Sequence, residues 1–431
     1  MSSPSVGHRS GEPAFRRALL ALFAIGIGTF AMIYSVQPLL AVAATDLDVS
    51  AASGTMLMTV TTFALAVAVL PLARLSEWCG RKPIIIGGLA VSVVTGIASA
   101  IAPSFALILV LRAVQGAALA GVPAAALAWV AEEIHPSAIT RVGGLYIAGN
   151  TLGGMGGRVL AGFASELVGW RGAIIVVCIL GAVVGLAAHL LLPTAQASPA
   201  RSSGAALAAR PDSAEARRSR LVLYGLAFLG MATFVGIYNV LSFRTSLPPY
   251  SLGAGLGSMF YLSYIAGTFT STFAGRLADR TGIRAGVLLG LAVCVGGVLI
   301  TLATSMVLIW AGLFLLAGGF FVVHSLASAN AARLSPRPSD GSGRYTLFYY
   351  LGSSVGGVLL GLAWDLGQWG ATAAGAVVLL VLATVLALWL PRRPPAGAPP
   401  GGAAPAGAPP GTPPSAAPGA PPPGTAPPAS A

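Results

Sequence analysis

The chain has 431 residues, of which 56% are hydrophobic and only 8% charged. A soluble domain carries about a quarter of its residues charged to face water, so a soluble globular protein is excluded, and the mean hydropathy of +0.84 agrees. The net charge of +12 does not mark a nucleic-acid partner, because the basic residues sit between apolar runs rather than on one polar face.

A bilayer core about 30 Å thick needs about 20 apolar residues as helix. Residues 1–16 form a tail that resembles no cleavable signal peptide. Runs of spanning length begin near Ala18, Ser53, Ile84, Ser104, Arg141 and Gly172, and they fill residues 17–192. The longest internal polar stretch, residues 193–220, reads as a linker. Further runs begin near Leu221, Leu252, Ala285, Met306, Tyr345 and Gly370 and fill residues 221–391. Residues 392–431 are rich in Pro, Ala and Gly; this tail cannot bury a core and is expected to be disordered. The expected fold is an all-α membrane protein with twelve transmembrane helices in two six-helix bundles.

The basic residues set the orientation. With the N-terminus in the cytoplasm, nearly all of the 24 Lys and Arg fall on the cytoplasmic side. Only Arg171 and Arg244 fall outside, while Arg112 and Arg158 fall within spans. Tails and linker are then cytoplasmic, and a bacterial cytoplasmic membrane is the expected location. Cys79, Cys178 and Cys294 lie far apart with no metal-ligand spacing, so neither a metal nor a cofactor is expected.

The halves repeat. Gly26, Thr29, Phe30, Ile33, Tyr34 and Val36 of span one recur about 204 positions later as Gly230, Thr233, Phe234, Ile237, Tyr238 and Val240 of span seven. Gly149, Gly153 and Gly154 of span five match Gly352, Gly356 and Gly357 of span eleven about 203 later. The loop ARLSEWCGRK (73–82) returns as GRLADRTGIR (275–284). Six is even, so both halves insert in the same sense, and an axis along the membrane normal with a cavity between the halves is expected.

The second loop resembles the signature G-x-L-A-D-R-x-G-R-R/K of the major facilitator superfamily in Gly275, Leu277, Ala278, Asp279, Arg280, Gly282 and the basic Arg284. The first copy is looser, with Ala73 for Gly, Glu77 for Asp and Trp78 for the basic residue. The resemblance covers about residues 15 to 392. It implies a cytoplasmic gate in which Glu77, Arg81, Asp279 and Arg280 pair across the seam; simple positive-inside anchoring is the alternative.

Span four resembles a second signature of that family, R-x-x-Q-G, in Arg112, Gln115 and Gly116, which implies a part in proton coupling. A charge in hydrocarbon costs at least about 2.5 kcal/mol, so Arg112 reads as functional; the other reading is a structural arginine bonded to helix carbonyls. Phe314 stands where the repeat would place it. Span five resembles the glycine-rich antiporter signature in Gly149, Gly153 and Gly157, with Gly154 where that signature has proline. Arg158 either snorkels to the outer interface or faces the cavity, where it binds an anionic group or pairs with Asp46, Glu166 or Asp365.

No acidic residue sits mid-span. A buried carboxylate that would bind a cationic drug and exchange its proton is therefore missing, and a neutral or anionic solute fits better. His324 in span ten reads as a group that titrates near neutrality or as a hydrogen-bonded packing histidine. Tyr34, Gln37, Asn150, Tyr238, Asn239 and Tyr264 offer hydrogen bonds in an apolar wall and are the cavity candidates.

The reading is a secondary active transporter working by alternating access, with proton-coupled efflux of a neutral or anionic compound, resembling the drug/proton antiporter and sugar-efflux branch. The expected partners are a small-molecule substrate, protons and the lipid bilayer, with the chain as a monomer. A facilitated-diffusion uniporter or an uptake symporter is the alternative within transport, and a receptor or sensor on the same fold lies outside it. No clustered catalytic residues, cofactor loop or ATP-binding motif points to an enzyme.

Overall fold

The computed structural model describes residues 7–193 and 212–392; the expectations for most of the linker and for the tail beyond 392 lie outside the described residues. The helices are α1 (Pro13–Tyr34), α2 (Leu40–Asp46), α3 (Ala51–Cys79), α4 (Arg81–Ile101), α5 (Phe105–Glu133), α6 (Ile139–Leu191), α7 (Ala214–Ser246), α8 (Ala254–Ser258), α9 (Ile265–Thr281), α10 (Ile283–Ile300), α11 (Met306–Arg333) and α12 (Pro338–Ala387). Among the described residues the one strand-like pairing is the bridge between His8 and Ile134.

Among the described residues, nine helical stretches are long and apolar enough to cross a membrane. The first joins α1 and α2 through a short 3-10 turn at Gln37–Leu39. Two others are double. As one rod, the 53 residues of α6 would reach about 80 Å at 1.5 Å per residue, more than twice a bilayer. The chain breaks it at Gly169, where φ is 71°, and breaks α12 at Gly367 and Gln368. A further crossing runs from α8 through a 3-10 segment (Met259–Tyr264) into α9. Nine stretches, two of them double, and this interrupted one accord with the twelve spans expected.

The ends have local causes. Ser50 and Ser104 cap α3 and α5 by accepting from the amides of Ser53 and Leu107. In both copies of the repeated loop, the glycine between helices has positive φ, 91° at Gly80 and 82° at Gly282. A side chain is strained there, so the motif needs glycine. At the start of α7, Arg220 donates to both carboxylate oxygens of Asp212 at 2.7 Å and to Leu334 O at 2.8 Å. The first of these bonds holds the Asp212 carboxyl below its usual range.

The repeat is visible as packing. A Cβ at Gly149 or Gly153 would run into the backbone of Phe23 or Ile27 in α1; one at Gly352 or Gly356 would run into that of Phe228 or Ala232 in α7. Small residues thus let span five lie on span one, and span eleven on span seven, at matching heights. At the arginine-poor end, Arg171 donates to Ala100 O and Ala102 O with its guanidinium 4.5 Å from the Trp170 ring. Arg244 does the same for Thr301 O and Ala303 O beside Trp369. In each half an arginine on a tryptophan satisfies the last carbonyls of the third helix of that half.

Candidate functional site

The halves meet along α3 and α12 and around the short elements Gln37–Leu39, α2 and α8. Among the described residues, every hydrogen bond between them lies from mid-membrane toward the arginine-poor end. Asp365 of the second half accepts from the amides of Ala51 and Ala52, the first turn of α3, at 3.1 and 3.0 Å. Glu166 of the first half accepts from Gly255 N at 2.9 Å. Gln37 donates to Asn239 Oδ1 at 2.7 Å, and the hydroxyls of Thr62 and Ser354 lie 3.0 Å apart. Arg158 reaches the Tyr264 hydroxyl at 3.5 Å, and the hydroxyls of Tyr34 and Tyr350 also pair across the seam.

Arg158 is the centre of this seam. Its residue is 1% exposed, although the sequence places it where it could snorkel. Nε donates to Gln37 Oε1 and Nη1 to Gly154 O, both at 2.6 Å. Three rings surround the guanidinium carbon: Tyr34 at 4.2 Å, Tyr264 at 4.9 Å and Tyr261 at 5.1 Å. Desolvated cation–π contacts of this kind are worth about 2 kcal/mol. The structure does not bring Asp46, Glu166 or Asp365 to it. Asp46 accepts from Trp170 and pairs with Arg171, while the other two carboxylates sit on the amides named above.

The remaining expected site residues divide clearly. Gln37, Asn239, Tyr34 and Tyr264 join Arg158. Tyr238 lies within the same aromatic group, its ring 4.7 Å from Tyr264 and its hydroxyl bonded to Ser263 at 2.5 Å. Asn150 is elsewhere, against the backbone of α1 at Gly26, with its Oδ1 unpartnered. Arg112 and Gln115 form a second buried cluster in the first half. Arg112 donates to Leu57 O at 3.2 Å, Ile33 O at 3.4 Å and Gln115 Oε1 at 2.5 Å, and Gln115 Nε2 reaches Ser92 O at 3.0 Å. His324 Nδ1 lies 3.0 Å from the Tyr345 hydroxyl.

At the arginine-rich end the four gate candidates are not brought together. Arg81 binds Glu132 of its own half at 2.7 Å and Ser76 Oγ at 2.5 Å. Glu77, Asp279 and Arg280 stand exposed, in no ion pair among the described residues.

Sequence reasoning overlooks the aromatic wall. From Tyr264 the rings continue through Phe234 (4.9 Å), Phe320 (4.2 Å further) and His324 (5.8 Å) to Tyr349 (4.9 Å) and Tyr350 (5.2 Å). Tyr261 and Phe321 also belong to it. Seven of the ten tyrosines gather here. The available signal was the run YTLFYY at 345–350, and the aliphatic residues that stand in span four where span ten has Phe320, Phe321 and His324.

Comparison with known proteins places this arrangement in context. The sequence profile of the Major Facilitator Superfamily matches residues 19–356 and 253–420. The chain is 35% identical over 385 residues to an uncharacterised MFS-type transporter, YybF, of Bacillus subtilis (strain 168), covering 89% of this chain and 94% of the relative. It is 33% identical over 409 residues to the inner membrane transport protein YnfM of Escherichia coli (strain K12), covering 91% and 95%. In fold it is similar to a bacterial homologue of the human lysosomal transporter Spinster, solved inward-facing and unoccupied. The TM-score is 0.70 at 16% identity, over 88% of this chain and 97% of that one. It is similar also to the human organic anion transporter MFSD10, with a TM-score of 0.59 at 20% identity over 86% and 99%.

Proposed function

The chain belongs to the major facilitator superfamily and is a membrane transporter of that family, and from this premise we propose that it carries a small neutral or anionic solute by alternating access, as proton-coupled efflux. The observation that carries the reading is Arg158: a buried guanidinium at the junction of the two halves, held by rings and neutral groups, with no carboxylate partner among the described residues. A buried charge is stable only when paired or well bonded. An anionic solute supplies the missing charge, whereas a cation is repelled. The similarity in helix five to the antiporter signature, and in the loops to the gate signature, supports efflux through an inner gate built on Glu77, Arg81, Asp279 and Arg280.

With the arginine-rich end placed in the cytoplasm, the hydrogen bonds between the halves gather toward the outer side, while toward the inner side α12 at Gly343 meets Leu70 of α3 by packing alone; this supports an inward-facing reading. Arg112 is tied to carbonyls of spans one and two, so it couples spans one, two and four mechanically rather than offering a free binding group.

The test uses everted membrane vesicles holding a respiration-driven pH gradient. Sugars, nucleosides, amino acids, organic anions and cationic drugs are added in turn, with wild type and Arg158→Gln side by side. Gradient collapse by a neutral or anionic solute in wild type alone is the expected result. Collapse by cationic drugs alone overturns the reading of the substrate. Labelled solute that equilibrates without any effect on the gradient replaces proton coupling with facilitated diffusion.

A further inference from the structure

Resting on the reading of an anion carrier, we infer that the substrate is an aromatic organic acid, its acid group held at Arg158 and its ring laid against the aromatic wall of the second half. Arginine has five N–H donors. Gln37 and Gly154 take two, and Tyr264 accepts only at 3.5 Å, the outer limit of a hydrogen bond. Donors therefore remain for a carboxylate, which a guanidinium binds through two parallel bonds. One step along the chain of bonds, Asn239 Nδ2 is buried without a partner. It lies beside the place where Gly357 lacks a side chain, as does the unpartnered Thr59 hydroxyl. The head group thus has a second donor pair at the same seam.

Phe234, Tyr238 and Tyr349 of the wall have counterparts in Phe30, Tyr34 and Tyr146, but the rings of span ten are not a requirement of the fold. At the repeat offset of 202 the counterparts of Phe320, Phe321 and His324 are Ala118, Leu119 and Val122, and at 203 the counterpart of Arg158 is Gly361. The first half packs the same helix with small aliphatic residues, so packing alone does not call for rings. Tyr264, Phe321, His324 and Tyr349 also remain partly exposed although they face one another, which leaves ring surface to be covered. The first half supplies the cation and, apart from Tyr34, the second half supplies the π-surface, so a bound aromatic acid touches both halves and couples their movement.

The experiment measures affinity of the purified full-length protein in lipid nanodiscs for 1-naphthoate, cyclohexanecarboxylate, 1-naphthamide and 1-naphthylmethylammonium. Naphthoate is expected to bind about tenfold tighter than cyclohexanecarboxylate, the worth of good aromatic contacts, and tighter than the amide. Arg158→Gln weakens both carboxylates. Phe321→Leu weakens naphthoate more than cyclohexanecarboxylate. Equal affinity for the two carboxylates, or binding of neither, overturns the aromatic inference and leaves the anion reading to the vesicle panel. Preference for the ammonium compound overturns both.

Discussion

Arg112 and Arg158 are both 1% exposed, yet their surroundings differ in kind. Arg112 is bonded within one half, to two backbone carbonyls and Gln115. Arg158 reaches both halves and rests on rings. Replacing Arg112 with leucine leaves Gln115 Oε1 without its donor and cuts the tie between spans one, two and four. A bond to a charged group is worth about 1.5–3 kcal/mol, so Arg112→Leu is expected to lower the thermal midpoint in detergent by several degrees. Arg158→Gln keeps a polar group beside Gln37 and removes the charge. The lost ring contacts and the lost bond to Gly154 O are set against the removed cost of burying a charge without a counter-ion, so its midpoint is expected to fall less than that of Arg112→Leu while carboxylate affinity falls at least about tenfold, as loss of a charge-assisted pair implies. Unfolding curves and binding isotherms on the same samples check both.

At the scale of elements, glycines set how closely helices approach. Gly153→Ala in span five and Gly356→Ala in span eleven each drive a Cβ into the backbone of the facing helix, and overpacking of this kind costs about 1–3 kcal/mol. Gly156→Ala and Gly370→Ala meet nothing within 4 Å and are expected to be neutral or slightly stabilising, since alanine is the better helix former. Equal midpoints for all four variants would contradict this packing. The carboxylate of Asp365 on the first turn of α3 joins the halves where a helix N-terminus favours negative charge. Asp365→Asn is expected to loosen the arginine-poor end, seen as faster alkylation of a cysteine placed at Val42 by a membrane-impermeant maleimide.

At the scale of the whole molecule, the apolar runs make the helices legible in the sequence, because bilayer length leaves few other readings, and the offset near 203 makes the two halves legible. The packing glycines were legible for the same reason. Arg158 stood out as a charge in an apolar run, but its surroundings did not, because Gln37 and Tyr264 lie 121 and 106 positions away. The wall was hidden for a similar cause: each ring alone reads as ordinary apolar surface, and only folding gathers them. The gate loops were legible as a motif, yet Arg81 turns to Glu132, whose place beside it no local pattern announces. The central claim is that the halves rock about the Arg158 seam. Pulsed electron–electron distance measurements test it most directly, with spin labels at exposed Trp78 and Arg276 on the arginine-rich end and, separately, at Leu167 and Leu366 on the arginine-poor end. Wild type is compared with Asp365→Asn, with Cys79 replaced throughout. The account predicts that the substitution lengthens the Leu167–Leu366 distance and shortens the Trp78–Arg276 distance. Distances that stay fixed, or that change in the same direction at both ends, would contradict it.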